Sequence, residues 1–392
     1  MNMDRDARTR TFGQWWDSNE RFVRASIEDL KRVGAAAYES VGASPGDAIF
    51  LFDTNLDKAI QGDHARGLGK LPGLVAAARA GRLDVSPKIE IVRERSATAV
   101  VDGGPAASGR LVCRFGMDIA ITKAREHGVG WVGARSSGEI LTPYVSQAVD
   151  AGMVALVMVQ SFPSVAPLGG YEPLLGNGPI AFGVPAKDRD PVILDMSTTQ
   201  SSASGMLMAA EQEEHVARGL LLDQRGEPTT DAQEFPDREL MEKLGGGFAV
   251  RGTLLPLGGS HKGAGLVFIV GLLSHLLTDT SPPWELFYDL PERGRYGTIL
   301  VAVDPTAFDP SGEVLSKVDA FIDRVTSAPR KAGAEEILYP GQRSQQLKRE
   351  RRESGFVELP ESHFEGMCVL ARELGIEQPT TSGASSPEGN ES

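Results

Sequence analysis

The sequence predicts an α/β protein in which a mixed-sheet middle is inserted between N- and C-terminal helical parts that pack together. Three observations predict this. Between about 111 and 308, amphipathic helices alternate with short, nearly continuous apolar runs, the texture of strands buried in a partly parallel sheet. The stretches 23–110 and 309–377 share a different, mainly helical texture, and no internal repeat is present. The expected division is an N-terminal extension 1–22, a helical domain 23–110 plus 309–377, a sheet domain 111–308, and a disordered tail 378–392.

Residues 1–22 form a polar lead with one aromatic cluster, Trp15 and Trp16. "SIEDLKRVGAAAYES" opens on a capping-box pattern, Ser26 with Asp29, and reads as a helix to about Ser40. Further helices are expected over 55–61, ending at Gly62, and over 72–82. "KIEIVRER" and "ATAVVDGG" alternate apolar and polar residues and read as a β-hairpin. Then come helix "LVCRFGMDIAITKAREHG", strand "VGWVGA", helix "TPYVSQAVDAG" and strand "MVALVMVQS". "PIAFGVPA" and "PVILDMS" are strands split by the turn "KDRD", followed by helical "TTQSSASGMLMAAEQ". "DQRGEPTTD" is a turn. "GGSHKGAG" is a glycine-rich entry to the apolar helix "AGLVFIVGLLSHLL", too short to span a bilayer and read as a core helix. A strand "YGTILVAVDP", a helix near 313–327, a strand near 335–339 and two helices up to Leu374 complete the chain. "QPTTSGASSPEGNES" has the composition of a disordered tail.

The formal net charge is −13, which disfavours a general polyanion binder, because neutralising phosphates needs a basic surface. The two cysteines, Cys113 and Cys368, have no metal-type spacing and read as buried small hydrophobes, so no metal is expected. The start of the chain lacks the apolar run of a secretory signal, which leaves the cytoplasm as the expected location.

The known nucleotide motifs are missing: neither G-x-G-x-x-G after a first strand nor G-x-x-x-x-G-K-[ST] occurs. Lys262, at a glycine-rich helix start, suits an anion, the alternative being close helix packing with an exposed lysine. Asp195 ends an apolar strand, where it either faces a ligand or caps the helix that follows. Of six histidines, only His64 and His261 lie in glycine-rich loops suited to function. His215 and His363 read as solvated, and His275 as a satisfied residue of the apolar helix.

Seven stretches in register then resemble the malate/L-lactate dehydrogenase family, which also holds sulfolactate and ureidoglycolate dehydrogenases and piperideine-2-carboxylate reductase. They are "GMDIAITKAREHGVGWVG", "VAPLGGYEPLLGNGPIAFGVPA", "VILDMSTTQ", "LLDQRGEPTTD", "PLGGSHKGAGL", "ILVAVDPTAF" and "LYPGQR". The resemblance implies a non-Rossmann NAD(P)-binding domain on a mixed sheet and a homodimer with active sites near the subunit interface. It also implies a small carboxylate-bearing substrate: a 2-oxo or 2-hydroxy acid, or a cyclic imine. The cofactor positions it carries over are Ser161; Asp195, Met196 and Ser197; Lys262; and Gly341, Gln342 and Arg343. They do not choose between NAD and NADP.

The family's catalytic positions do not carry over. Its "S-H-G" falls on Ala65, Arg66 and Gly67, and its arginine on Lys70. Its second histidine falls on Ser137, followed by Gly138 and Glu139; its "T-N-P" becomes Asn177, Gly178 and Pro179; and Ala264 stands where the family has a tyrosine. Arginine stays protonated, so Arg66 suits a carboxylate or an oxyanion rather than proton transfer. Ser137 can relay a proton but is a poor base. Glu139 and His64 are the candidate substitutes, and a tight loop would let His64 and Arg66 both face the pocket.

Three readings follow. The first is an NAD(P)-dependent oxidoreductase with an altered acid/base site. The second is a non-redox enzyme (lyase, cyclase or isomerase) on the same scaffold. The third is a catalytically silent dimeric binding protein.

Overall fold

The computed structural model describes residues 21–243, 249–286 and 295–382. The chain divides into two compact units: residues up to Ser86 with those from Ser344 onward, and Pro87–Arg343. Trp15, Trp16 and the tail beyond Ser382 lie outside the described residues.

The elements in chain order are β1 (Phe22–Ser26), α1 (Ile27–Glu39), α2 (Pro45–Ile60) and α3 (Leu71–Arg79), then β2 (Glu90–Glu94), β3 (Thr98–Asp102), α4 (Gly109–His127) and β4 (Val129–Ala134). Next are α5 (Thr142–Asp150), β5 (Val154–Val159), β6 (Pro163–Val165), β7 (Leu175–Gly176), β8 (Ile180–Val184) and β9 (Val192–Met196). They are followed by α6 (Ala203–Glu211), β10 (Leu221–Leu222), β11 (Pro228–Thr229), α7 (Arg238–Lys243), β12 (Thr253–Leu254) and α8 (His261–Leu276). The last are β13 (Thr298–Val303), α9 (Val314–Thr326), α10 (Gln342–Ser354), β14 (Phe356–Pro360) and α11 (Glu361–Leu374).

In the first unit, β1 and β14 pair antiparallel from Phe22↔Pro360 to Ser26↔Phe356. Neither strand was expected: β1 sits where the polar lead meets the first helix, and β14 splits the last helical stretch. The Ser26 hydroxyl caps α1, accepting from Asp29 N at 3.3 Å. The capping box is only half made, because the Asp29 carboxylate turns to Thr380, accepting from its N at 3.1 Å and its hydroxyl at 2.6 Å. That contact lays residues 380–382 along β1, with Ser26 N donating to Thr380 O and Ser382 N to Arg24 O. The expected disorder from 378 is therefore corrected as far as Ser382. Helix α2 begins ten residues before the expected start at 55, since Ser44 caps it and Pro45 sits in its first turn. Its last carbonyls, on Ala59 and Ile60, accept from the Arg351 guanidinium of α10, the longer bond being 3.3 Å and the shorter 2.6 Å.

In the second unit, a seven-stranded sheet has the order β2-β3-β4-β13-β5-β8-β9 among the described residues. Strands β4 and β5 both pair antiparallel with β13, so they are parallel to each other but separated by it. Only β3–β4 is a parallel pair in this sheet. The sheet is thus mixed, as expected, but mostly antiparallel, because a strand from far along the chain fills the gap left by the β4–α5–β5 crossover. Leu300 of β13 faces α4, where Gly116 leaves room for it, while Ile299 and Val301 pack with Met158 and with Val270 of α8 on the other face. The hairpin β2–β3 joins this sheet at its edge, and α9 anchors the β8–β9 turn, with Asp319 accepting from Lys187 N and Asp188 N. Both segments therefore lie in the second unit, and its limits fall at 86/87 and 343/344 rather than 110/111 and 308/309.

A second sheet runs β11-β10-β12-β6-β7. Helix α6 starts at Ala203, not Thr198, with Ser202 as its cap. The strand expected near 335–339 is coil, tied to β9 by Ile193 N donating to Pro340 O. Helix α8 buries only Gly263, Val267, Val270, Gly271 and Ser274, so it is a one-sided helix rather than the core helix its composition suggested.

Candidate active site

The candidate cofactor groups lie in the second unit. Strand β9 ends at Asp195 and Met196, and the Asp195 carboxylate accepts from Thr142 N at 3.2 Å and from the Thr142 hydroxyl at 2.6 Å. It therefore serves the start of α5, not the helix that follows it in sequence. Two donors on one carboxylate oxygen fix its direction. Beyond Ser197, Thr198 donates from both N and hydroxyl to Asn177 O, each at 3.0 Å. The Ser161 hydroxyl donates to Asn177 Oδ1 at 2.5 Å. Leu257 N donates to Thr198 O, which ties this cluster to the entry of α8. Ser161, Ser197 and the α8 entry are thus joined through Asn177 and Thr198. On the other side of β9, Tyr339 N donates to Gln342 Oε1 at 3.3 Å, Gly341 has φ +88°, and the Arg343 side chain is exposed.

Gly258 and Gly259 both have positive φ (70° and 57°), a bend that suits glycine, and deliver the chain to Ser260 and α8. The Ser260 side chain, at the N-cap, makes no capping bond to the first turn of α8. Its leading amides and the exposed Lys262 ammonium, which forms no ion pair among the described residues, make a donor set that fits an anionic group such as a dinucleotide phosphate.

The loop after β4 is held from four sides. Gly138 N donates to the Thr298 hydroxyl at 3.0 Å, which itself donates to Ser136 O at 2.7 Å. The buried Tyr144 hydroxyl donates to Gly138 O at 3.0 Å. Arg135 reaches Asp279 at 2.8 Å and Asp102 at 3.5 Å; Asp102 also takes a bidentate pair from Arg295 at 2.7 and 2.5 Å. Those guanidinium bonds, Arg295 foremost, pull the Asp102 carboxyl down to about 2. Finally, Gly109 at the start of α4 lies so close that a Cβ there would overlap the Ser137 carbonyl oxygen. Within this loop the Ser137 hydroxyl accepts from Glu139 N at 3.3 Å. The Glu139 carboxylate accepts from Arg110, a 4% exposed residue, at 2.9 Å, and Glu139 has φ +52°. The ion pair with a buried guanidinium holds this carboxylate oxygen against α4.

In the first unit, His64–Arg66 is a 3-10 turn, not an extended loop. At three residues per turn, side chains two apart diverge. The His64 ring is 5% exposed and packs 5.5 Å from Phe22 and 6.4 Å from His363 (centroid distances). Burial, then the nearby His363 and Arg351 charges, lower its pKa to about 4, against the pull of Asp63. Arg66 instead pairs with Asp63, Nε at 2.8 Å and the terminal nitrogen at 2.6 Å from one carboxylate oxygen. The expectation that both side chains face one pocket is therefore corrected: His64 is an interior histidine. So is the solvated reading of His363, whose ring fills the space left by Gly69.

The comparisons with known proteins agree with this architecture. A family model described as malate/L-lactate dehydrogenase matches residues 25–368. The chain belongs to the malate/L-lactate dehydrogenase family. The L-sulfolactate dehydrogenase of Methanothermobacter thermautotrophicus is 33% identical over 366 residues, covering 90% of this chain and 98% of that one. A Delta(1)-pyrroline-2-carboxylate/Delta(1)-piperideine-2-carboxylate reductase of Pseudomonas putida is 30% identical over 272 residues, 68% of this chain and 75% of that one. The solved structure of sulfolactate dehydrogenase from Methanocaldococcus jannaschii matches with a TM-score of 0.77 at 28% identity, covering 90% and 98% of the two chains. As a member of the malate/L-lactate dehydrogenase family the chain is a dehydrogenase or reductase.

Sequence reading missed Thr142, Asn177 as a hub, and Arg110. Each acts through a contact distant in sequence, with 53 residues separating Thr142 from Asp195 and 29 separating Arg110 from Glu139. The local signal was a Thr-Pro helix start in one case and an ordinary helix residue in the other.

Proposed function

We propose that the protein is an NAD(P)-dependent oxidoreductase acting on a small carboxylate-bearing substrate, a 2-oxo or 2-hydroxy acid or a cyclic imine, with an altered acid/base site. The observation that carries this reading is the joined cluster of Ser161, Asn177, Thr198 and the α8 entry, with the leading amides of α8 and Lys262 beside it. Ser161, Asp195, Met196, Ser197 and Lys262 would hold the dinucleotide, with Gly341, Gln342 and Arg343 contributing from the loop beside β9. A bound reduced nicotinamide supplies the hydride that, with one proton, converts the C=O or C=N carbon of the substrate to the alcohol or amine level.

The chain's own residues supply charge more readily than a proton. Arg66 stays protonated and binds or polarises an oxygen or carboxylate of the substrate. Ser137 donates a hydrogen bond or relays a proton. Glu139, bound to Arg110, positions the loop rather than acting as the base, and interior His64 takes no part in proton transfer. An imine substrate eases the demand on the protein, because a protonated imine accepts hydride without an obligatory protein acid.

The apolar outer face of α8, with Ile269, Leu272 and Leu276 each over 40% exposed, supports a homodimer. A cytoplasmic location, with access to the dinucleotide pool, follows from the same reading. Calorimetric titration with NADH and NADPH tests it. Micromolar binding of either is expected; no heat from both at millimolar concentration overturns it.

A further inference from the structure

One cavity of the second unit has no role in the reading above. Its volume is about 240 Å³. One wall is a stripe of α8, His261, Ala264 and Phe268, residues that share a helix face at spacings of three and four. The other wall is Val165 at the end of β6, Leu168 in the loop beyond, and Leu175 of β7. A Cβ placed on Gly265, in the same stripe, would meet nothing within 4 Å, so the helix wall is low there.

We propose that this cavity receives an apolar substituent of the substrate, of the size of a phenyl or branched butyl group, and that Ala264 is the residue that admits it. The proposal rests on the oxidoreductase reading and narrows its substrate class to 2-oxo or 2-hydroxy acids with a bulky apolar side chain. Three features carry it. An apolar cavity of about 150 Å³ is already large enough to hold benzene, so this volume suffices for a ring. Among the lining residues His261 alone is titratable, so a polar substituent would find little to pair with. The cavity also adjoins the cluster described above: its walls include β6 and β7, which pair as far as Pro163↔Gly176, beside Ser161 and Asn177. The substituent takes no part in the reaction: C2 of the oxo acid gains the hydride, its oxygen gains a proton, and the dinucleotide is oxidised.

The test uses the full chain. Initial rates with NADH and NADPH are compared for phenylpyruvate and 4-methyl-2-oxopentanoate against pyruvate and oxaloacetate. Binding of unreactive 3-phenylpropanoate is followed by calorimetry. The expected result is a kcat/KM advantage on the order of tenfold to hundredfold for the apolar acids. Ala264→Tyr, which sets a ring in the middle of the stripe, should then raise KM for phenylpyruvate and weaken 3-phenylpropanoate binding by about as much. A wild-type protein that handles pyruvate or oxaloacetate as well as phenylpyruvate, and binds no 3-phenylpropanoate, overturns the proposal, whether or not the variant folds. So does an Ala264→Tyr variant that changes the sedimenting species but not the phenylpyruvate KM, which assigns the cavity to a contact between subunits. If instead neither dinucleotide binds while 3-phenylpropanoate does, the pocket stands and the oxidoreductase reading falls.

Discussion

Lowering the pH should weaken the first unit through one histidine. His64 is 5% exposed, and its pKa falls from 6.5 to about 4 in the folded protein. The unfolded chain therefore binds more protons than the folded one between those values. The stability that neutral His64 contributes is complete above pH 6.5, declines as the pH falls, and is lost on passing through pH 4. The difference of about 2.5 units, at 1.36 kcal/mol each, amounts to about 3 kcal/mol. The assay is urea unfolding followed by far-UV circular dichroism at pH 7, 6, 5 and 4, for the wild type and for His64→Gln, which carries no charge at any of these values. Carboxylates with strongly lowered pKa values do not confuse the window; Asp102, at about 2, gives up its contribution only below the ordinary aspartate value. The wild type should lose about 3 kcal/mol more than the variant between pH 7 and pH 4. Parallel curves for the two proteins would refute the argument, because they would show that the ring is either solvated or already charged in the fold.

Arg66→Ala should lower turnover by roughly a hundredfold, as for other lost oxyanion or carboxylate donors, with dinucleotide affinity retained; unchanged kinetics would remove Arg66 from the site. Arg66→His should gain ordinary 2-hydroxy-acid dehydrogenase activity if the register with the family's first histidine is right. Asp102→Asn unpairs Arg295 and Arg135 at a carboxylate only 15% exposed, and should cost roughly 2–4 kcal/mol, visible as a lower urea midpoint. Gly109→Ala drives a Cβ into the Ser137 carbonyl, where no side-chain rotation relieves it, so turnover should fall roughly tenfold or more while dinucleotide binding measured by calorimetry persists. The Cys113 thiol, fully buried and pushed up to about 12 by that burial, should resist a thiol reagent at pH 8 until the protein unfolds; fast labelling of the native protein would contradict its placement.

Much of the sheet was legible because β4, β5, β8, β9 and β13 are apolar runs bounded by turn signals, and periodicity reports burial directly. What periodicity does not report is which strand lies beside which. The position of β13 between β4 and β5 is set by pairing over more than 130 residues, so the expected share of parallel pairing was too high. Strands β1 and β14 were missed for the same reason, since each finds its partner more than 300 residues away. The site divides similarly. Asp195 and Lys262 stood out as candidates because they lie at a strand end and a helix start, where ligand contacts concentrate, and Ser161 only through the family resemblance. His64 was misread because a glycine-rich loop suggests exposure, whereas the 3-10 turn drives its ring into the interior. Glu139 looked like a spare base because its partner, Arg110, belongs to a helix 29 residues earlier.

The place of β13 also sets an order of assembly. Strands β4 and β5 are complete by Val159, yet the edge each turns toward the other stays open until Thr298–Val303 has been made. During synthesis at about 5–20 residues per second, that leaves two apolar edges unpaired for roughly 7–30 seconds. A nascent chain in this state carries a template for wrong strand pairing. A chain cut just before Thr298 keeps both edges open permanently, so a truncation that removes only the last quarter of the sequence should aggregate rather than yield a smaller folded sheet.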